Sequence, residues 1–402
     1  MNEYLRKKIK KIICNRVFLT IFFAIILVII AFLLYYGKWK ILIQMGIIAI
    51  LMLVLFYKIF FNLNFINIDR IKKKIQYKKY NNYTDSDELY AKHLKIETFD
   101  GTGELTHPSV LYFKDGFCGY KYWMVHTPYH DCKLYLENPC IVVSNDGINF
   151  EKIDGTKDPL LPIIDRVNPK TYYNDPNLIY TDKLEIWYRY TVEYDDKAND
   201  HIVYRITSKD GKKWTDPEKI FMDKGEKECY MSMSIVYENN KYKYFYFNRN
   251  RVYLKESYDL NKWTSPLKIN INKYEGNLWH GEVKRIEDKY YILFIDRKYG
   301  LYIATSNDGI NFDNVRKENI YCKTKDYFYN NIVLYKSSII DDGKYIYLYV
   351  PFRFDKVRLL KINNVITKKW YITLTKIKKE HLDYYLSWGG KFKWRNKKIA
   401  LE

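Results

Sequence analysis

Cysteine is scarce in this chain of 402 residues: six are present, Cys14, Cys118, Cys132, Cys140, Cys229 and Cys322. No two stand at the close spacing of a metal-binding pair, so the cysteines give no sign of a zinc site. Free thiols in a reducing compartment are the default, and Cys132 and Cys140 could meet in one loop if the domain were extracellular. A small-residue cleavage site is also missing between the first two apolar runs, which argues against a secretory signal peptide. The central part of the chain lacks net charge. The whole carries +20, but residues 1–80 hold fifteen Lys and Arg against two acids, and residues 361–402 hold eleven against three. The remainder has 41 bases and 42 acids. A groove for phosphate backbones would concentrate positive charge on the folded domain, so nucleic acid is not an expected partner.

Two long apolar runs are present near the start. Residues 17–36 carry no charge, and residues 41–61 are interrupted only by Gln44 and by Lys58 near the end. Each is long enough to cross a hydrocarbon core of about 30 Å as a helix. Basic residues flank both runs, which by the positive-inside rule places both ends of this hairpin in the cytoplasm. The expectation is a multi-pass cell-membrane protein with membrane lipid as a partner and a cytoplasmic domain. Residues 1–80 would be the anchor, 81–370 the folded domain and 371–402 a basic extension, either membrane-attracted or simply solvated.

Beyond the runs, one signature recurs four times. It reads Ser144-Asn145-Asp146-Gly147-Ile148-Asn149-Phe150, Ser208-Lys209-Asp210-Gly211-Lys212-Lys213-Trp214, Ser257-Tyr258-Asp259-Leu260-Asn261-Lys262-Trp263 and Ser306-Asn307-Asp308-Gly309-Ile310-Asn311-Phe312. The serine-to-serine steps suit four-stranded propeller blades, with the aspartate capping a turn and the closing aromatic packing between blades. Five segments, 109–125, 177–190, 234–247, 282–295 and 338–350, share an apolar run, a polar turn and a tyrosine-rich strand. They read as the first two strands of five blades. With 42 tyrosines and 21 phenylalanines, strands explain the composition better than helices. The fold expected is an all-β, five-bladed propeller.

Aligning the five first strands on Val110, Leu178, Ile235, Val283 and Ile339 defines positions around the central cavity. Three residues upstream stand His107, Asp175, Ser232, His280 and Lys336; two residues further along stand Ser109, Asn177, Ser234, Glu282 and Ser338. This polar and unequal set is the strongest functional signal in the chain. His107 and His280 could donate to a sugar hydroxyl, act as acid or base, or ligate a metal with Asp175. Trp279 could stack on a sugar or pack the blade floor. Arg249 and Arg297 occupy equivalent rim places and Arg353 ends the fifth blade; guanidinium groups there suit an anionic glycan, against the plainer reading of a surface salt bridge such as Arg297 with Asp296. The loop 127–138, with Tyr129, His130, Asp131 and Glu137, is expected to overhang the cavity.

The segments Thr106-His107-Pro108-Ser109-Val110, Tyr173-Asn174-Asp175-Pro176-Asn177 and Leu278-Trp279-His280-Gly281-Glu282-Val283, with the repeated turn, resemble five-bladed propeller glycoside hydrolases and related carbohydrate-active proteins, of the type of families 32, 43, 62 and 130. The resemblance implies catalytic carboxylates at the starts of inner strands: aspartates in blades one and two, a glutamate in blade three. Asp175 matches the second. His107 stands at the first, and Met231-Ser232-Met233 at the third, with Glu228 a few residues earlier and Glu282 in the fourth blade. Glycoside hydrolysis needs two carboxyl groups roughly 5–9.5 Å apart, which Asp175 with Glu282 or Glu228 could supply.

The function expected is therefore a membrane-anchored, glycoside-hydrolase-like propeller that binds, and in one version cleaves, a cell-envelope or capsular carbohydrate, anionic or lipid-linked. The alternative is a non-catalytic carbohydrate-binding or polysaccharide-assembly scaffold. Asp175, Glu282 and Glu228 are the candidate catalytic residues. His107, His280, Trp279, Ser232, Asn177, Arg249 and Arg297 are the candidate substrate contacts. Neither a metal nor any other cofactor is assigned.

Overall fold

Aromatic and β-branched residues set between short polar turns build five antiparallel sheets in the second of the chain's two units, Asp85–Glu402. The computed structural model describes residues 35–37, 88–164, 171–193, 199–226, 230–248, 250–297, 300–317, 329–357 and 369–382. Of the first unit, Met1–Thr84, only Tyr35, Tyr36 and Gly37 are described. The expectation of a multi-pass membrane location is corrected here: among the described residues no helix is long and apolar enough to cross a membrane. Almost all of the runs 17–36 and 41–61, on which that expectation rested, lie outside the described residues.

Blade one runs Leu105–Phe117, Tyr120–Pro128, Cys140–Ser144 and Glu151–Lys152 from the axis outward. Blade two runs Thr171–Tyr180, Leu184–Val192, Asn199–Ser208 and Glu218–Glu226. Blade three follows with Tyr230–Glu238, Lys241–Asn248, Arg251–Ser257 and Leu267–Lys268. Blade four has Leu278–Ile286, Lys289–Asp296, Leu301–Ser306 and Asn311–Lys317, with Asn270–Ile271 lying parallel to its outer strand. In blade five the inner strand comes in two pieces, Tyr329–Leu334 and Ser338–Asp341, both paired to Tyr345–Val357. Tyr371–Lys378 is its next strand, so eight residues that the sequence reading gave to a basic extension belong to the blade. Leu89–His93, from the other end of the unit, is the outermost strand, and this pairing closes the ring.

The recurring signature folds as a turn that caps itself. In the first copy Asp146 Oδ1 accepts the Ser144 hydroxyl at 2.8 Å and the Ile148 and Asn149 amides at 2.8 Å each, while Ser144 Oγ accepts the Gly147 amide at 3.0 Å. The same bonds recur at Asp210, Asp259 and Asp308. Gly211 has φ +73°, and a Cβ there would stand 2.2 Å from the Trp123 ring of blade one, so glycine is required by both conformation and space. The closing aromatics fill the joints between blades: Phe150 meets Tyr349 edge-on at 6.0 Å, and Trp263 meets Trp187 at 6.5 Å.

Around the axis, each inner strand has an edge that no strand covers, and the second tier of aligned side chains covers it. Ser109 Oγ accepts the amide of Leu178, Asn177 Oδ1 that of Ile235, Ser234 Oγ that of Val283, and Ser338 Oγ that of Val110, at 2.8–3.1 Å. Four of the five blades thus satisfy a buried backbone donor of a neighbour. Glu282 joins this belt: Oε1 accepts Ser109 Oγ at 2.8 Å and Asn177 Nδ2 at 3.4 Å, and Oε2 stands 3.6 Å from Lys284 Nζ.

Asn177→Ala leaves the buried Ile235 amide without its acceptor, a loss of about 1–3 kcal/mol. A lower urea midpoint at unchanged m is expected; a variant as stable as the parent would deny Asn177 this structural role.

Candidate functional site

The first tier is set by a break in every inner strand. Register shifts fall between Thr106 and Ser109, Asn174 and Asn177, Tyr230 and Ser232, and Leu278 and His280, while in blade five the strand itself is interrupted around Lys336. A bulge re-aims one side chain. His107 and Asp175 pay for this with φ values of 53° and 52°, and each precedes a proline. Non-glycine residues enter that region at a cost of about 1–3 kcal/mol and do so chiefly at working sites.

The five residues that sequence alignment placed in one ring do meet. His107 Nε2 stands 3.5 Å and His280 Nδ1 3.6 Å from Asp175 Oδ1. Ser232 Oγ lies 3.4 Å from the same oxygen. Lys336 reaches from blade five, donating to the carbonyls of Pro176 at 2.9 Å and Asp175 at 3.4 Å, which braces the strained bulge. All five are buried. Trp279 and Tyr335 wall the ring, with Trp279 4.7 Å and Tyr335 4.3 Å from the His280 ring, and Tyr335 4.8 Å from His107.

A second carboxyl group arrives from the loop. Two short 3-10 turns, His130–Cys132 and Leu134–Leu136, lead to Glu137, whose Oε2 lies 3.5 Å from His107 Nδ1. The loop is tied down at its root. The buried Glu104 carboxylate accepts His130 Nδ1 at 2.7 Å and the Trp370 amide at 3.2 Å, and Trp370 Nε1 donates to Cys132 Sγ at 3.3 Å. Thr127 Oγ1 lies 2.9 Å from His107 Nδ1. If that nitrogen donates, the Nε2 lone pair faces Asp175.

Burial dominates the electrostatics. It pushes His107 down to about 3, against the pull of Asp175, and lowers His280 as well. Burial alone would raise Asp175, but His107, His280 and Lys336 together hold its carboxyl well below the usual range. Glu137 moves the other way, raised well above its ordinary value by burial and by the Asp175 charge. Burial also lowers Lys336. The site at neutral pH is one carboxylate between two neutral imidazoles.

That set suits a divalent metal ion. The three donor atoms lie within 4.8 Å of one another. His107 Nε2 and both His280 nitrogens make no hydrogen bond, despite full burial. Ligands about 2.0–2.2 Å from one ion stand about 3–3.5 Å apart, close to the 3.5 and 3.6 Å that separate the two histidines from Asp175 Oδ1. The residues present therefore fit an ion held by His107, Asp175 and His280, a role that the sequence reading kept only as one of three for the histidines.

The other candidates lie elsewhere. Glu282 and Asn177 belong to the belt: Asn177 Oδ1 and Glu282 Oε1 are bonded to neighbouring strands, while Glu282 Oε2 is buried without a hydrogen bond, 3.6 Å from Lys284 Nζ. Trp279 and Ser232 are at the site. Arg297 lies at its rim, 5.7 Å over the Trp279 ring. Glu228 and Arg249 lie outside the described residues. Lys336 and Glu137 were visible in the alignment and the loop but not given a task. Tyr335, one residue before Lys336, carried no signal of its own.

No family model matches the chain. An A type blood N-acetyl-alpha-D-galactosamine deacetylase of Flavonifractor plautii is 31% identical over 97 residues, which is 24% of this chain and only 12% of that protein's length. Among solved structures, an N-acetylgalactosamine deacetylase from F. plautii in complex with blood group B trisaccharide superposes with a TM-score of 0.61 at 17% identity, covering 75% of this chain and 98% of that one. An exo-beta-1,3-galactanase from Clostridium thermocellum follows at 0.48 and 12%, covering 71% and 62%. The five-bladed propeller is thus a fold that this chain shares with that deacetylase structure.

The buried histidines predict acid lability. Burial lowers His107 to about 3, His126 to about 4 and His201 to about 3. Groups so lowered stabilise the fold fully above the unfolded value near 6.5 and lose that contribution as pH falls toward the folded value, by about 1.4 kcal/mol per pH unit for each. Melting temperature of the metal-free protein should drop steadily between pH 6.5 and 4, and less steeply in His126→Gln. A flat profile would contradict the neutral, buried state.

Proposed function

We propose that this propeller is a metal-dependent amidohydrolase that removes the N-acetyl group of an amino sugar within a glycan. One observation carries the reading: His107, Asp175 and His280 converge, fully buried, with ring nitrogens that no protein group satisfies. The partial sequence match to a galactosamine deacetylase and the superposition on a deacetylase structure support the same reaction class.

A divalent ion held there would polarise the amide carbonyl and lower the pKa of a bound water. The protein's own groups supply the rest. Asp175 offers the anionic ligand, and His107 and His280 offer neutral ones, in keeping with their lowered pKa values. Thr127 and Glu137 are positioning residues, fixing the His107 ring through Nδ1. The single Ser232 hydroxyl proton has two acceptors in reach, the Gly281 carbonyl at 3.2 Å and Asp175 Oδ1 at 3.4 Å. Trp279 and Tyr335 offer apolar faces against which the amide-bearing sugar can lie.

A second reading, glycoside hydrolysis, keeps one observation in its favour: Glu137 is a buried carboxyl with a raised pKa beside an ionised Asp175, the split that an acid and its partner require. The two reactions release different products.

With a panel of N-acetylated oligosaccharides and added Zn2+, Mn2+ or Co2+, we expect acetate release without new reducing ends. A chelator should abolish it. Asp175→Asn and His107→Ala should each lower kcat/KM by about a hundredfold or more and weaken metal binding measured directly. New reducing ends without acetate would establish glycoside hydrolysis instead, and metal-independent turnover would remove the ion from the account.

A further inference from the structure

Arg297 follows the second strand of blade four at the mouth of the site. Its amide donates to the Asn277 carbonyl at 2.8 Å, and its guanidinium lies 5.7 Å over the Trp279 ring. Trp279 in turn is 4.7 Å from the His280 ring, so the guanidinium sits one aromatic residue away from the proposed reacting centre. The side chain is exposed. The adjacent carboxylate is engaged elsewhere: Asp296 Oδ1 accepts the Gly300 amide at 2.7 Å and Oδ2 accepts the Tyr302 hydroxyl at 3.1 Å. Among the described residues no carboxylate lies within ion-pair distance of Arg297, so the surface salt bridge with Asp296 considered for it does not form. A guanidinium in cation–π contact with an indole is drawn toward the ring while its outer N–H groups stay available, and its planar fork can take two oxygens of one anion.

We propose that Arg297 on Trp279 is a subsite for an anionic group of the substrate, placed beside the amide-bearing sugar. The proposal rests on the deacetylase reading for where that sugar lies. The group is a carboxylate or a phosphate: a uronic acid next along the glycan, or the phosphate of a sugar still joined to its carrier. Both present paired oxygens to the same fork. A lysine would supply charge without the planar fork, and a glutamine would retain donors without charge.

Calorimetric titration of the full-length, Zn2+-loaded protein tests this with three probes: hyaluronan tetrasaccharide for the carboxylate, UDP-N-acetylglucosamine for the phosphate, and tetra-N-acetylchitotetraose as the neutral reference. We expect one anionic probe to bind at least about tenfold more tightly than the neutral one, with a preference that shrinks as salt rises. Arg297→Gln should abolish the preference while leaving neutral affinity within about twofold, and Arg297→Lys should retain part of it. The identity of the favoured probe decides between carboxylate and phosphate. Equal binding of all three, failure of both anionic probes to bind, or a preference that survives in Arg297→Gln would overturn the proposal. The readout is binding alone, so absence of acetate release would count against the deacetylase reading and not against this subsite. Melting curves of both variants verify that the comparison is between folded proteins.

Discussion

Five sheets meeting at one axis leave five strand edges facing each other with no room for a further strand. Their buried amides must be satisfied by something else, because an unpaired buried donor costs about 1–3 kcal/mol. Here the neighbour's side chain does it: Ser109, Asn177, Ser234 and Ser338 each accept one such amide from the next blade. This belt joins the blades at the level just below the site and holds the inner strands at a fixed separation. Everything above it depends on that spacing. The first-tier side chains can converge only because the second tier has drawn the strands together and the bulges have turned the residues inward.

The belt also explains why the site is electrostatically sharp. Lys284 and Glu282 face one another within the belt, so their charges are matched locally. In the tier above, one carboxylate shares its surroundings with two neutral imidazoles and with Lys336, whose ammonium binds the backbone carbonyls of the Asp175-Pro176 bulge. Strain at Asp175 is thus held by a neighbour on another blade, and His107 is held within blade one by Thr127. A ring closed by hydrogen-bonded edges, with Leu89–His93 completing blade five, is the kind of scaffold that can hold three donor atoms at fixed positions.

Much of this was readable in advance because repetition puts equivalent residues in one column. The four self-capping turns located the blades, and aligning on Val110, Leu178, Ile235, Val283 and Ile339 put His107, Asp175, Ser232, His280 and Lys336 in one ring. What alignment does not reveal is which tier is buried between strands and which is turned into the cavity. Glu282 therefore looked catalytic, as a carboxylate on a central strand does, until its contacts with Ser109, Asn177 and Lys284 gave it a structural task. Glu137 was visible in its loop but was given no task, for the opposite reason. It sits on a non-repeating loop, and only the tether through Glu104, His130 and Trp370 brings that loop to His107. The outer strands of blade five carried no repeat signature either, since ring closure brings together segments nearly 300 residues apart.

The same contacts bear on the reaction class. A carboxylate that serves as base or nucleophile needs appreciable proton affinity, and that of Asp175 is lowered: against the effect of burial, His107, His280 and Lys336 hold it below the usual carboxylate range. A carboxylate so stabilised is a poor base and a good anionic ligand. The histidines show the complementary change. Lowered by burial, they are unprotonated at neutral pH, so they hold no extra proton for a leaving group and keep lone pairs for a cation. Each of the three groups is thus shifted away from proton transfer and toward coordination. The proton-active group in the site is Glu137, displaced to the far side of His107, where its effect on chemistry passes through the orientation of that ring. Amide hydrolysis at a bound cation uses such an arrangement; glycosidic cleavage would require Asp175 to give up the stabilisation that the ring of five residues provides.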